Sequence, residues 1–167
     1  MTQEDKQLLL TDICARLPYG VKINLNGGND IWTLKGIFEG DHTGIMLILE
    51  PSFPSKDVYP PTSNWPLSQC KPFLRPMSSM TEEEARDIAI LHGNEPVDIL
   101  STKVTDEYVG IILDDGVCGT YTETIWYDEI ISSVKCFDYL NKKMFDFRGL
   151  IPKDLALSAD EINSNKD

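Results

Sequence analysis

Apolar positions near the start of the chain recur at helical spacing. Leu9, Ile13 and Leu17 lie four residues apart with Leu10 and Cys14 beside them, which predicts a helix from about Thr2 to Leu17 with one apolar stripe. Thr2 is placed to cap it, Glu4 and Asp5 suit the positive end of its dipole, and Pro18 and Gly20 stop it. The period then changes. Val21, Ile23 and Leu25 alternate with Lys22, Asn24 and Asn26, as in a half-buried strand. Asn26 to Asp30 reads as a tight reversal, Ile31 to Phe38 as a second strand, and residues 39–44 as another turn. The run Ile45 to Leu49 is apolar at every position and predicts a strand covered on both faces. This is a helix followed by a three-stranded meander.

Residues 51–76 break the pattern. Seven of the ten prolines fall here, which argues against a helix or a central strand, yet Phe53, Tyr59, Trp65, Phe73 and Leu74 are interleaved with them. An extended arm docked on the body, with Trp65 at least half buried, fits both facts. Thr81 and Glu84 form a capping-box pair that opens a helix ending near His92 and Gly93, with Ala85, Ile88 and Ala89 inward. Strand-like runs follow at Val97–Val104, Glu107–Leu113 and about Thr120–Tyr127, the last two joined at Asp114-Asp115-Gly116. A C-terminal helix over about 128–143 carries Ile130, Val134, Phe137 and Leu140 as its stripe. The expected fold class is α+β: helices packed on a largely antiparallel sheet, in one domain over 1–155, with a frayed tail at 156–167. The strand signals at 20–50 and 97–127 are compatible with one sheet or two.

Charge sharpens this picture. The chain has 167 residues, with 15 basic against 27 acidic side chains, a net of −12. Residues 76–129 hold two basic and thirteen acidic groups, so 2 − 13 puts −11 of that excess in the middle third. Such a chain is a poor direct binder of nucleic acid or anionic membrane. Solvated helix faces and acidic loops are the ordinary origin of such a run. The start of the chain lacks the basic, long-apolar pattern of a secretory signal, no window is apolar enough for a membrane span, and the four cysteines are widely spaced. These features predict reduced thiols in a cytoplasmic protein, with Cys14 an inert core thiol.

Catalytic and metal patterns are missing from the string. There is no phosphate-binding loop, no dinucleotide fingerprint, no HExxH and no GxSxG, and Asp114-Asp115-Gly116 does not fit a calcium loop. No catalytic residue, metal ligand or cofactor is predicted. His42 and His92 are the two histidines on which an unrecognised enzyme would have to draw, each needing a carboxylate brought to it by the fold. The candidate binding residues are Trp65, Arg75, Asp146 and Arg148, with Asp138 or Asp146 expected to pair with Arg75 or Arg148 and hold the arm.

Three segments carry a resemblance. Residues 8–21 (LLLTDICARLPYGV), 70–84 (CKPFLRPMSSMTEEE) and 137–152 (FDYLNKKMFDFRGLIP) resemble a family of short proteins of gut anaerobes, frequent in phages and other mobile elements. The sequence departs from that pattern at Phe73 and Phe147, where tyrosine is common, and at Asp154, where glycine is. The resemblance implies a genomic setting and no mechanism. Taken together, the expectation is a non-enzymatic binding or accessory protein of mobile-element origin that acts through a protein partner. The alternatives are an acidic mimic of nucleic acid that inhibits a DNA- or RNA-binding protein, and an unrecognised enzyme.

Overall fold

The architecture comes from a computed structural model that describes residues 1–25, 28, 30–52, 62–96, 98–105, 107–114 and 116–160. The chain divides into two compact units. The first joins Met1–Arg75 to Arg148–Asp167, and the second, Pro76–Phe147, is inserted between those two pieces.

In the first unit, helix α1 (Gln3–Arg16) starts where the sequence predicts. The Thr2 hydroxyl accepts from the Asp5 N–H at 3.1 Å, and the Thr2 N–H donates to the Asp5 carboxylate at 2.9 Å. Those bonds from Thr2 hold the Asp5 carboxyl below its ordinary range. A 3-10 turn, Leu17–Tyr19, ends at Gly20, whose φ of +67° suits glycine. Then come strands β1 (Lys22–Leu25), β2 (Ile31–Gly40) and β3 (Gly44–Pro51), paired antiparallel in that order. The reversal predicted at 26–30 falls largely outside the described residues.

Two more strands come from the proline-rich stretch. Residues 53–61 lie outside the described set, but β4 (Ser63–Pro66) pairs with β3, and β5 (Cys70–Leu74) pairs with β1. With β9 (Leu157–Ser158) parallel to β5, the sheet order is β4-β3-β2-β1-β5-β9. The expectation that no central strand occupies this stretch is therefore corrected. Pro72 sits opposite Ile23, while β9 pairs only with Phe73 and Leu74, so beside the proline β5 has a strand on one side alone. A missing N–H is tolerated at such a local edge. Trp65, on the outer strand β4, is partly buried opposite Leu47. The core gathers Leu9 and Ile13 of α1 and Val21, just before β1, with Ile23, Leu34, Leu47, Leu49, Phe73 and Leu74 of the sheet.

The second unit opens with a 3-10 turn and helix α2 (Glu82–His92), capped reciprocally by Thr81 and Glu84. Gly93, at φ +129°, ends it, as the sequence indicates. Strands β6 (Ile99–Val104), β7 (Tyr108–Asp114) and β8 (Thr120–Trp126) form a separate antiparallel sheet in that order. The predicted C-terminal helix is two helices, α3 (Tyr127–Ser132) and α4 (Val134–Lys142), because Ser133 takes extended backbone angles. That break resets the helical phase. Val134 is 82% exposed, and Cys136 takes the inward place with Ile130 and Leu140. The core here joins Ile88 and Ala89 of α2 to Val109, Ile111 and Leu113 of β7, Ile125 of β8 and Phe145.

Cys14 is also corrected. It is exposed, because α1 turns Leu9, Asp12, Ile13 and Arg16 inward. Cys118 is exposed as well, while Cys70 and Cys136 are buried, and none of the four is in a disulfide. Burial pushes the Cys70 thiol up to about 12, so it stays protonated at ordinary pH. Stability linked to this thiol is present below the unfolded pKa near 9 and lost as pH rises toward the folded value. A thiol reagent at pH 8 should therefore modify two cysteines of the native protein quickly and all four after unfolding without reductant. Fewer than four in the unfolded state would contradict the disulfide-free arrangement.

Asp154 adopts φ +57°, a conformation glycine takes freely. Its exposed carboxylate meets Lys71, an ion pair worth at most about 1 kcal/mol. Asp154→Gly should leave the unfolding free energy within about 1 kcal/mol of the parent, whereas Asp154→Val should lower it by about 1–2 kcal/mol. Chemical denaturation of the two variants checks that order.

Candidate functional site

Of the four residues singled out from sequence, Arg148 has the most definite place. Asp12 and Arg16, one turn apart on α1, are both fully buried. The Arg16 guanidinium donates through Nε at 2.7 Å and Nη2 at 2.8 Å to the two carboxylate oxygens of Asp12. Arg148 Nη1 donates to Asp12 Oδ1 at 2.7 Å, with its side chain 13% exposed. Sequence reasoning expected aspartates near position 148 as partners and missed Asp12. The available signal was that Asp12 and Arg16 fall four apart on the side of the helix that also holds Leu9 and Ile13. The sheet order separates Trp65 on β4 from Arg75, just past β5, by three strands. Trp65 Nε1 is buried and has no hydrogen-bond partner among the described residues. Asp146 is buried within the second unit.

The first unit has an open groove of about 310 Å³ beside α1, lined by Lys6, Gln7, Leu10, Glu39, Ile45 and Leu67. His42 and His92 are both exposed. Among the described residues, no group of three or more His, Cys, Asp or Glu is arranged to hold a metal ion.

The second unit presents a different surface. Along β7, Val109, Ile111 and Leu113 point into the core, so Tyr108, Gly110, Ile112 and Asp114 face the other way. Register places Trp126, Thr124, Thr122 and Thr120 of β8 opposite those four, and Lys103 and Ser101 of β6 opposite Gly110 and Ile112. This outer face exposes Ile112 at 42% and Trp126 at 46%, with Leu100, at the β6 bulge, 53% exposed. Tyr108 and Trp126 meet edge to face, their ring centroids 5.3 Å apart. Sequence alternation predicted these strands, but no binding residue was placed on them.

Several of the acidic groups have local tasks. Glu84 closes the α2 cap and lies 3.6 Å from Lys143. Asp87 accepts from the Tyr139 hydroxyl at 2.8 Å, Asp114 from the Gly116 N–H at 3.0 Å, and Glu129 from the Trp126 N–H at 3.0 Å. These positions explain part of the −11 excess as capping and turn chemistry.

Comparison with protein-family models, curated proteins and solved structures gives no match. No helix among the described residues is long and apolar enough to cross a membrane.

The ion cluster has a measurable consequence. Asp12→Asn leaves two guanidinium groups without their buried counter-charge and should destabilise the protein by about 3–5 kcal/mol. Arg148→Met leaves the Asp12–Arg16 pair intact and should cost less, about 1–3 kcal/mol. Urea unfolding of both variants tests this ordering; equal small losses would show that the cluster contributes little.

Proposed function

We propose that this protein is a non-enzymatic binding or accessory protein, of mobile-element origin, that acts through a protein partner. One observation carries the reading: the outer face of the β6-β7-β8 sheet exposes Ile112 and Trp126, with Tyr108 packed beside the tryptophan, and Leu100 is exposed at the β6 bulge. Large aromatic and aliphatic side chains on a regular sheet are what interface centres use, since they bury much area at a low entropy cost. The strands that hold them are fixed from below by the core, so the face is preorganised.

The nucleic-acid-mimic reading requires acidic groups free to imitate a row of phosphates. Glu84, Asp87, Asp114 and Glu129 are instead engaged in bonds within the unit, which favours the protein-partner reading.

The double variant Ile112→Thr, Trp126→Thr should keep the parent's circular dichroism while its recovery of a partner from the native host falls by about tenfold or more. Undiminished recovery of the same partner would overturn the reading. Loss of the Tyr108–Trp126 contact should itself cost about 1 kcal/mol of stability, so both proteins are compared well below their melting temperatures.

A further inference from the structure

We propose that β8 is a docking edge at which an extended, basic segment of a partner protein adds to the three-stranded sheet as a fourth strand. This rests on the partner-binding reading above and names the chemistry of the partner and its point of contact.

The backbone decides which groups are offered. The Tyr127 N–H donates to the Glu107 carbonyl at 3.1 Å, and register pairs Ile125 with Val109 and Glu123 with Ile111. In an antiparallel ladder, alternate residues turn both backbone groups toward the same neighbour. The odd-numbered residues of β8 therefore face β7, and Thr120, Thr122 and Thr124 turn their N–H and C=O groups outward. Trp126 turns outward too, with its N–H taken by Glu129. Among the described residues, β7 is the sole strand paired with β8, and all three threonines are exposed.

The opposite edge is closed. Arg86 donates to the Ile99 carbonyl at the start of β6 and to the Pro96 carbonyl ahead of it, the Thr102 hydroxyl donates to the Glu82 carbonyl at 2.9 Å, and a register shift interrupts the strand between Ile99 and Ser101. Lys103 adds an exposed charge. Bulges, lysines and covering groups are the usual devices that stop an edge from pairing. From Thr120 to Trp126 there is no bulge, proline or lysine.

Charge selects the occupant. Between Lys103 and Lys135 the chain has seven acidic and no basic residues. Glu123 lies on β8 itself, and Asp128 and Glu129 follow its end. A second copy pairing through the same edge would set this acidic group against itself, which is unfavourable. A strand with Lys or Arg at every second position places those cations on the Glu123 side. Its other row, β-branched or aromatic, lies beside Thr120, Thr122, Thr124 and Trp126. Main-chain bonds supply affinity in such strand addition, and alternate side chains supply selectivity.

The test uses the full chain and a fluorescein-labelled octapeptide, Lys-Val-Lys-Thr-Arg-Val-Lys-Thr, with a counterpart N-methylated at the residues that would bond to β8. The plain peptide should bind saturably, and N-methylation should weaken it by about tenfold or more. Amide exchange at Thr122 and Thr124 should slow by a similar factor in the complex, with Thr102 of β6 unaffected. Glu123→Lys should weaken binding about tenfold with melting unchanged. Absence of binding, equal binding of the two peptides, or protection elsewhere would overturn the proposal. So would a peptide-free dimer with those threonine amides protected, which would give the edge to a second copy. If the peptide fails while the Ile112, Trp126 variant still loses its partner, the edge falls and the partner-binding reading stands. If the peptide docks as described while that variant keeps its partner, the edge stands and the sheet face is not the route.

Discussion

A carboxylate removed from water must be answered by cations or give up its charge, and Asp12 is answered twice. Arg16 grips both oxygens from the next turn of α1, and Arg148 reaches one of them from a point 136 residues further along. Arg148 is the first residue of the chain's return to the first unit. From there Leu150, Leu155 and Ala156 enter the core, and the short strand β9 joins β5, with the Ala159 N–H closing onto the Leu74 carbonyl at 2.7 Å. Two residues of parallel pairing are a weak hold by themselves. The ion cluster supplies a directional contact at the start of that segment. Its geometry requires α1 and the returning chain to be in register together.

The same cluster marks where sequence reading failed. Patterning assigns charged positions to solvent, so Asp12 and Arg16 have no place in the apolar stripe predicted for the first helix, whereas Cys14 is placed in it. Mutual neutralisation reversed that assignment, and α1 is rotated accordingly. Asn24 follows a similar rule. It falls on the polar row of β1, yet it is buried because its side-chain amide donates to the Gly28 carbonyl. A polar group that finds a partner inside can occupy an inward position. Pairing in space is not written in the local period.

Elements set by local chemistry were legible. The Thr81–Glu84 cap, the Gly93 stop and the alternation of β7 each depend on residues within one element, and all three stand where the string puts them. The proline-rich stretch was legible as apolar and extended, but its membership of the sheet was not. Whether a proline can enter a strand depends on which neighbour reaches it, and β9, which stops short of Pro72, comes from the far end of the chain. The break at Ser133 likewise lies in no strong sequence signal, and it moved Val134 outward.

The two edges of the smaller sheet show how one unit treats identical backbone chemistry in opposite ways. At β6 the arginine of α2, a hydroxyl and a bulge are all committed to the strand or its flank. At β8 the threonines continue the ladder pattern with no further strand paired across it among the described residues, and the acidic groups beyond it are arranged at the strand's end. A helix that needed only to cover the core would not require Arg86 to reach past it to the β6 carbonyl. Closing one edge this way confines strand addition to the other. Glu129, by taking the Trp126 N–H, also limits the open stretch to the three threonines. The length of backbone on offer is therefore short, and selectivity must come from the side chains flanking it: Glu123 on one face and Trp126 on the other.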